Sequence, residues 1–153
     1  MEAVLDEAAL EAWGRQVGAG ARPPLVLALR GDLGAGKSTL ARAIARGAGV
    51  RAEMPSPTFN LVFRYAGAGG VQVQHLDLYR LEREDEVWEL GWAELPGPEE
   101  VVLIEWPERA EALLPRPRWE VGLEEEADPA TRRVRVSPVG EPPPLPPFPE
   151  TGR

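Results

Sequence analysis

Cysteine is absent from the chain, and lysine, histidine and asparagine occur once each. Without cysteine the protein has no disulfide bond, no thiolate nucleophile and no cysteine-ligated zinc. No apolar run approaches the roughly 18 residues of a membrane span, and the N-terminus lacks the basic and apolar regions of a signal peptide. These absences predict a cytosolic protein that does not insert into a membrane.

Basic residues are fewer than acidic ones, 17 against 25, so the formal net charge is −8. This balance argues against broad electrostatic attachment to nucleic acid or to an anionic membrane surface. At 153 residues the chain is long enough for one domain with a buried core. We expect a catalytic domain at residues 1–139 and a proline-rich tail at 140–153, extended or flexible because such a segment cannot form a helix or a central strand.

The single lysine lies in a complete G-x-x-x-x-G-K-[ST] pattern. The pattern consists of Gly31, Asp32, Leu33, Gly34, Ala35, Gly36, Lys37 and Ser38, and Thr39 follows it. In such a loop the backbone N–H groups turn inward as an anion-binding nest, and the next helix directs its positive dipole end at bound phosphates. The lysine ammonium can follow the β- and γ-phosphates of a nucleotide, and the serine hydroxyl is a ligand for Mg²⁺.

The pattern stands between an apolar strand at 25–29 and a segment of helical spacing at 40–46, which is the context that a phosphate-binding loop requires. Hydrophobic periodicity and turn residues predict the remaining elements. They are a helix at 6–17, a hairpin of strands at 58–65 and 71–77, a short helix at 84–90 with Val87, Trp88 and Leu90 inward, a central strand at 101–104, a short helix at 107–114 and a hairpin of 119–124 with 133–136. The sequence therefore predicts a single α/β P-loop NTPase domain with three α/β/α layers and a mixed central sheet that includes antiparallel hairpins.

Two carboxylates follow predicted strands. A P-loop enzyme needs an acidic side chain at the end of a neighbouring strand to hold Mg²⁺ and to orient the nucleophile. Glu105 follows one strand and Asp77 closes another. The alternatives are a solvent-facing strand end for Glu105 and a turn or helix cap for Asp77. For His75 a hydrogen-bonded structural role is favoured over a catalytic base, because phosphoryl transfer needs mainly positioning and charge stabilisation.

Thr58 and Arg80 are candidates for contact with phosphate. Thr58 lies one segment after the predicted P-loop helix, where switch segments of nucleotide hydrolases often lie, so it could sense a γ-phosphate. Its alternative role is a turn hydroxyl at the start of a strand. Arg80 could contact phosphate in a closed state, or it could be one of the many surface arginines.

The residues leave several functions to compare. Guanine selection in GTPases normally uses an N-K-x-D element, which cannot exist here because the one lysine lies in the phosphate loop. ATP is therefore the expected nucleotide. A small-molecule kinase would use Asp77 as a base, but it usually carries an arginine-rich lid, whereas residues 81–100 are strongly acidic. A third possibility is a nucleotide-dependent interaction module that hydrolyses slowly by itself.

Five segments together closely resemble the bacterial TsaE (YjeE) family, over about residues 5–114. They are G-D-L-G-A-G-K-S-T at 31–39, S-P-T-F at 56–59, H-L-D-L-Y-R-L at 75–81, E-L-G at 89–91 and I-E-W-P-E at 104–108. The phosphate loop alone would indicate a superfamily of many functions. The H-x-D-x-Y-R and E-W-P-E segments are much more specific.

The resemblance implies a small Mg²⁺-dependent ATPase that works with two larger proteins, TsaD and TsaB, in placing threonylcarbamoyl on the adenosine next to the tRNA anticodon. ATP hydrolysis would drive or reset the partner complex, and it would be slow without the partners. A monomer is expected for the protein alone, and direct contact with tRNA is not expected. The first helix and the C-terminal hairpin are the candidates for adenine contacts.

The same resemblance implies a role for each motif residue. Lys37 and the loop backbone would hold the phosphates, and Ser38, a serine where threonine is commoner, would serve Mg²⁺. The remaining implied roles are Glu105 at Mg²⁺, Asp77 as a catalytic or metal-orienting carboxylate, Thr58 as a switch residue, and Trp106 and Glu108 on the nucleotide or partner side of the site. Arg80, three residues after Asp77, is a further candidate for a switch or partner-sensing residue.

Overall fold

The computed structural model describes residues 1–54 and 61–150. Thr58 and the predicted start of its strand lie outside these ranges. The described strands and α-helices are β1 (Glu2–Asp6), α1 (Glu7–Ala19), β2 (Leu25–Arg30), α2 (Lys37–Gly47), β3 (Val62–Ala66), β4 (Gln72–Asp77), β5 (Glu100–Glu105), β6 (Arg118–Glu125) and β7 (Thr131–Val139). Short 3-10 helices are formed by Ala68–Gly70, Glu84–Leu90, Trp92–Glu94 and Pro107–Leu113.

The strands form one sheet in the order β1-β7-β6-β2-β5-β4-β3. The four central strands, β6, β2, β5 and β4, run parallel to their neighbours in this group. The pairs β1 with β7, β6 with β7, and β3 with β4 are antiparallel. The predicted α/β domain with a mixed sheet and antiparallel hairpins is therefore confirmed.

Each face of the sheet is covered by a different layer. On one face α1 and α2 pack against alternate residues of β2, with Leu10, Trp13 and Leu27 in a single buried cluster. On the other face the 3-10 helices Glu84–Leu90 and Trp92–Glu94 contribute to a second cluster, which includes Val26. Because β2 is covered on both faces, its sequence is almost continuously apolar.

The first helix shows why the local sequence specifies its element. Asp6 is the N-cap, and its Oδ1 accepts a hydrogen bond of 2.8 Å from the backbone N–H of Ala9. Gly18 allows the close approach of α2, because a Cβ at this position would lie 1.9 Å from the Ile44 carbonyl oxygen. The predicted helix is confirmed, and it extends to Ala19.

Two details differ from the sequence predictions. The edge strand β1 was not predicted, because its five residues gain their strand partners only from β7, far along the chain. Trp88 was predicted to face inward, which is wrong, since it is 51% exposed. The segment is a 3-10 helix with three residues per turn, so Val87 and Leu90 share the inner side and Trp88 is rotated away.

Residues 141–150 form neither helix nor strand and lie against the domain. The indole N–H of Trp119 donates to the carbonyl oxygen of Pro143 at 2.7 Å, and that of Trp13 donates to Pro146 at 3.1 Å. The Phe148 ring lies 5.0 Å from the Trp13 ring, measured between centroids. These contacts fix the path of the segment, while its predicted flexibility stays a prediction. Within the described ranges, the helices are too short or too polar to cross a membrane.

Candidate active site

The glycine-rich loop joins the end of β2 to the start of α2. A Cβ on Gly31 would lie 2.6 Å from the Leu123 carbonyl oxygen of β6, so only glycine fits this approach. Gly36 is the N-cap of α2 in a left-handed conformation, with φ of 106°, and it has no side chain with which to cap the helix. Gly36 therefore makes no side-chain cap bond to the first-turn N–H groups of α2, and their binding of an anion stays a prediction.

Lys37 is the first residue of α2 and is 5% exposed. Its Nζ donates to the carbonyl oxygens of Gly31 and, at 3.0 Å, of Asp32. The Trp106 ring covers it, with the centroid 3.9 Å from Nζ. Burial lowers the pKa of the Lys37 amine, and the nearby carboxylate of Glu105 opposes this shift most strongly. The ammonium is therefore held within the loop by weak neutral partners that a phosphate would outcompete.

Glu105 is brought to the loop by the parallel pairing of the central strands. It lies at the end of β5, in register with Leu29 of β2 and with Asp77 of β4. The side chain is almost fully buried, at 2% exposed. The Ser38 hydroxyl donates to its Oε1 at 3.0 Å, with Oε2 at 3.2 Å. His75 Nε2 lies 2.5 Å from Oε2. The predicted Mg²⁺ ligands Ser38 and Glu105 are thus in direct contact.

Asp77 lies beside Glu105 at the end of β4 and is partly exposed. Its Oδ1 accepts a hydrogen bond of 3.0 Å from the backbone N–H of Tyr79. Desolvation raises the pKa of Asp77, the Tyr79 N–H opposes this rise, and the charge of Glu105 adds to it. Asp77 thus forms the turn hydrogen bond that the sequence analysis gave as the alternative to a catalytic role. It also lines the cavity of the site, so the two roles are compatible.

Trp106 has an unusual backbone conformation for a residue with a side chain. Its φ of 57° and ψ of 49° are left-handed, which costs a non-glycine residue about 1–2 kcal/mol. Pro107 opens the next 3-10 helix directly after it. The indole packs against the Tyr79 ring at 4.9 Å between centroids. This corner holds the ring over Lys37.

The loop and the strand ends enclose an open cavity of about 390 Å³. Most of the predicted site residues line it, namely Leu33, Gly34, Gly36, Lys37, Ser38, Thr39, Asp77, Arg80, Glu105 and Trp106. Gly31 and Asp32 lie behind Lys37, to which they offer carbonyl oxygens, and Ala35 is buried beneath the loop. Glu108 is exposed on the adjoining 3-10 helix, outside the lining.

Tyr79 and Leu61 also line the cavity, and neither is among the site residues predicted from the sequence. Tyr79 lies two residues after Asp77, within the H-x-D-x-Y-R segment, so the segment itself was the available signal. The contact between His75 and Glu105 was also missed. It joins residues 30 apart in the chain, and it depends on the register of two strands.

A second, smaller recess of about 160 Å³ adjoins the loop between α1 and the hairpin of β6 and β7. It is lined by Glu7, Leu10, Gly34, Ala35, Gly36, Thr39, Pro129, Ala130 and Arg132. The Arg132 guanidinium donates to the carbonyl oxygens of Gly34 and Ala35 at 3.1 and 3.2 Å. The first helix and the C-terminal hairpin, both named as candidates for base contacts, therefore meet beside the phosphate loop.

A glycine-rich loop between a central parallel strand and a helix, facing acidic residues on adjacent strand ends, defines a P-loop NTPase fold. The family model for "Threonylcarbamoyl adenosine biosynthesis protein TsaE" matches residues 4–134. The chain belongs to the TsaE family.

Individual relatives agree with this assignment. A protein of Bacillus subtilis (strain 168) named tRNA threonylcarbamoyladenosine biosynthesis protein TsaE is 37% identical over 120 residues, which are 78% of this chain and 73% of that protein. The Haemophilus influenzae protein of the same name is 40% identical over 91 residues, which are 60% of this chain and 57% of that protein. The crystal structure of Bacillus subtilis YdiB has a TM-score of 0.69 at 27% identity, covering 92% of this chain and 86% of that one.

Proposed function

We propose that the protein is a Mg²⁺-dependent ATPase that supports the formation of N6-threonylcarbamoyladenosine in tRNA by driving or resetting a complex of TsaB and TsaD. The observation that carries the ATPase part is the convergence of Lys37, Ser38, Asp77 and Glu105 in one cavity at the carboxyl ends of β2, β4 and β5. The tRNA part rests on membership of the TsaE family. This role would place the protein in the cytoplasm.

The residues divide the work of phosphoryl transfer to water. Lys37 would exchange its loop carbonyl partners for the β- and γ-phosphates and would stabilise the charge that develops on them. The N–H groups at the start of α2 would bind the same phosphates. The raised pKa of Asp77 suits a carboxylate that orients the attacking water and accepts its proton.

Hard oxygen donors suited to Mg²⁺ are present at the site, in the Ser38 hydroxyl and the Glu105 and Asp77 carboxylates. Among residues 1–54 and 61–150, no three acidic, histidine or cysteine side chains are grouped to hold a metal by themselves. Mg²⁺ commonly binds through one or two carboxylates together with substrate phosphates and water, so the site would be completed by the nucleotide. When bound, the ion would neutralise charge on the phosphates.

The smaller recess beside the loop is the proposed place for the adenine and ribose. Leu10 and Ala130 offer it apolar surface, and the Arg132 guanidinium supplies a flat face on which a base could stack. The recess touches Thr39 and Gly36, which also line the phosphate cavity. A nucleotide could therefore extend continuously from one recess to the other.

The test is ATP hydrolysis by the purified protein, alone and with TsaB and TsaD added, with an unrelated acidic protein as the control. We expect slow turnover alone and strong stimulation by the pair. No stimulation, together with phosphate transfer to a small-molecule acceptor, would replace this proposal with a kinase that uses Asp77 as its base. No nucleotide binding under any condition would contradict both functions.

A further inference from the structure

His75 is a buried polar residue that the proposed chemistry does not use. It lies on β4 and is 6% exposed. Residues two apart on a strand share a face, so His75 and Asp77 point the same way. The pairing of β4 with β5 sets His75 opposite Leu103 and Asp77 opposite Glu105. Glu105 is therefore the diagonal neighbour of His75 on this face, which is within the reach of a long side chain.

The contact between the two side chains is short and shielded from water. Nε2 of His75 lies 2.5 Å from Oε2 of Glu105, and the two side chains are 8% and 3% exposed. A buried carboxylate needs hydrogen-bond donors, because it has lost those that water supplied. Among the described side chains, Glu105 receives such bonds from Ser38 and His75.

These two donors differ in their relation to the cavity. Ser38 lines the cavity with Glu105, whereas His75 lies behind the carboxylate and outside the lining. The Ser38 hydroxyl can turn toward a bound cation, since it rotates freely about its bond. The imidazole has no such freedom, because it is a buried ring that stands on the face of β4. His75 is thus the partner that stays with Glu105 when a nucleotide and Mg²⁺ enter.

We propose that His75 is a positioning residue for the Mg²⁺ site, which it serves by donating Nε2–H to Oε2 of Glu105. The bond fixes the carboxylate orientation in which Oε1 faces the Ser38 hydroxyl. Without it, the side chain would adopt other rotamers, and the ligand would have to be reoriented for each binding event. Residues that orient metal ligands in this way typically change metal affinity or activity by about 10–100-fold. This inference rests on the proposed Mg²⁺-dependent function.

The test compares three substitutions at position 75. The amide nitrogen of His75→Gln can take the place of Nε2, whereas His75→Asn is too short and His75→Leu has no donor. Calorimetry measures the affinity for a non-hydrolysable ATP analogue at increasing Mg²⁺ concentration, and in excess chelator. We expect the Mg²⁺ concentration for half-maximal binding to rise about 10–100-fold in His75→Asn and His75→Leu, and less than about threefold in His75→Gln. Metal-free binding should not change in any of them.

Gln74→Leu is the matched control, because Gln74 is as buried on the same strand but faces the other side, where it bonds to Glu100. It should leave the Mg²⁺ dependence unchanged. The same dependence in folded His75→Leu or His75→Asn as in the wild type would overturn the inference while leaving the proposed function intact. An equal rise in the required Mg²⁺ concentration in His75→Gln and His75→Asn would also overturn it, since the donor would then not matter. If the affinity of the wild type for the analogue does not depend on the Mg²⁺ concentration, the proposed Mg²⁺-dependent function is contradicted, and so is the role of His75.

Discussion

At the scale of single residues, the site is built from buried charges that are costly without a ligand. Lys37 and Glu105 are 5% and 2% exposed, and the hydrogen bonds described for the Lys37 ammonium go to neutral carbonyl oxygens of the loop. Burial of polar and charged groups costs free energy unless they are fully bonded. The fold supplies this energy from its apolar clusters on both faces of the sheet. Binding of a phosphate beside Lys37 would recover part of the cost.

Replacement of Lys37 tests its role directly. We expect Lys37→Ala to lower ATP turnover with partners by about 10²–10³-fold and to weaken nucleotide binding, because the charge on the phosphates loses its main partner. Lys37→Arg should not restore turnover, since the space between the Trp106 ring and the loop carbonyls fits a compact ammonium. Arg51→Ala, at an exposed position beyond α2, is the control. Wild-type turnover in Lys37→Ala would place the chemistry elsewhere.

The Asp77 carboxylate gives a prediction about pH and stability. Its pKa is raised above the ordinary 3.8 by desolvation, so the folded protein binds a proton more tightly than the unfolded chain. The ionised group then opposes folding, and stability falls as the pH rises from that ordinary value through the folded pKa. Asp77→Asn keeps the acceptor for the Tyr79 N–H but cannot ionise. It should abolish turnover while raising the melting temperature at pH 7 by roughly 2 °C, a small effect because the carboxylate is partly solvated.

Thermal unfolding of the metal-free protein from about pH 4, near the ordinary pKa of an aspartate, up to about pH 8 measures this effect. The difference between Asp77→Asn and the wild type should shrink as the pH is lowered. Asp128→Asn is a matched control, because Asp128 accepts the same type of bond, from the Ala130 N–H, in an exposed turn. A lower melting temperature for Asp77→Asn at pH 7 would show that the ionised carboxylate is stabilising.

At the scale of helices and strands, the sequence predicts the elements whose pattern is complete within a few residues. It does not predict those that depend on pairing with a distant part of the chain. The loop at 31–38 and the strand at 101–104 could be assigned because motif and apolar run are each complete within a few residues. The central position of β5 also followed, since a continuously apolar strand must be covered on both faces. The strand β1 could not be predicted, because its partner β7 lies more than 120 residues away. The spacing of apolar residues at 84–90 also could not distinguish a 3-10 helix from an α-helix.

Packing of α1 against α2 depends on glycine at the crossing. Gly18→Ala should destabilise the protein by about 1–3 kcal/mol, because the added methyl would collide with the backbone of α2 at Ile44. Denaturant unfolding measures this loss. In Gly122→Ala the new methyl meets nothing closer than 4.0 Å, so this variant should unfold within about 0.5 kcal/mol of the wild type. Equal stability of the two variants would mean that the helices can separate at no cost.

At the scale of the whole molecule, the site lies at the carboxyl ends of three neighbouring parallel strands. Strands β2, β4 and β5 bring to one edge residues that are separated in sequence by up to 68 positions, from Lys37 to Glu105. The sequence could name these residues from their motifs, and the parallel order of the strands explains why they converge. It could not name the contact of His75 with Glu105, which needs the register as well as the order.

Removal of residues 141–153 tests the contribution of the C-terminal segment. The truncated protein should melt several degrees lower, because Trp13 and Trp119 lose their hydrogen-bond acceptors and Trp13 loses the Phe148 ring. ATP turnover should be unchanged, since residues 141–150, the part of the segment that the structure describes, do not line the cavity. Phe148→Ala separates the ring contact from the rest. An unchanged melting temperature would indicate the flexible tail that the composition predicts.

The Trp106 ring over Lys37 has a spectroscopic consequence. A positive charge 3.9 Å from the centroid of an indole alters the energy of its excited state, and therefore the wavelength and yield of its emission. Of the five tryptophans, this one alone lines the cavity, while the others lie away from it. Movement of the ammonium toward a phosphate would change the environment of one fluorophore. Under the proposed function, the emission of Trp106 would therefore report nucleotide binding and turnover without an added label.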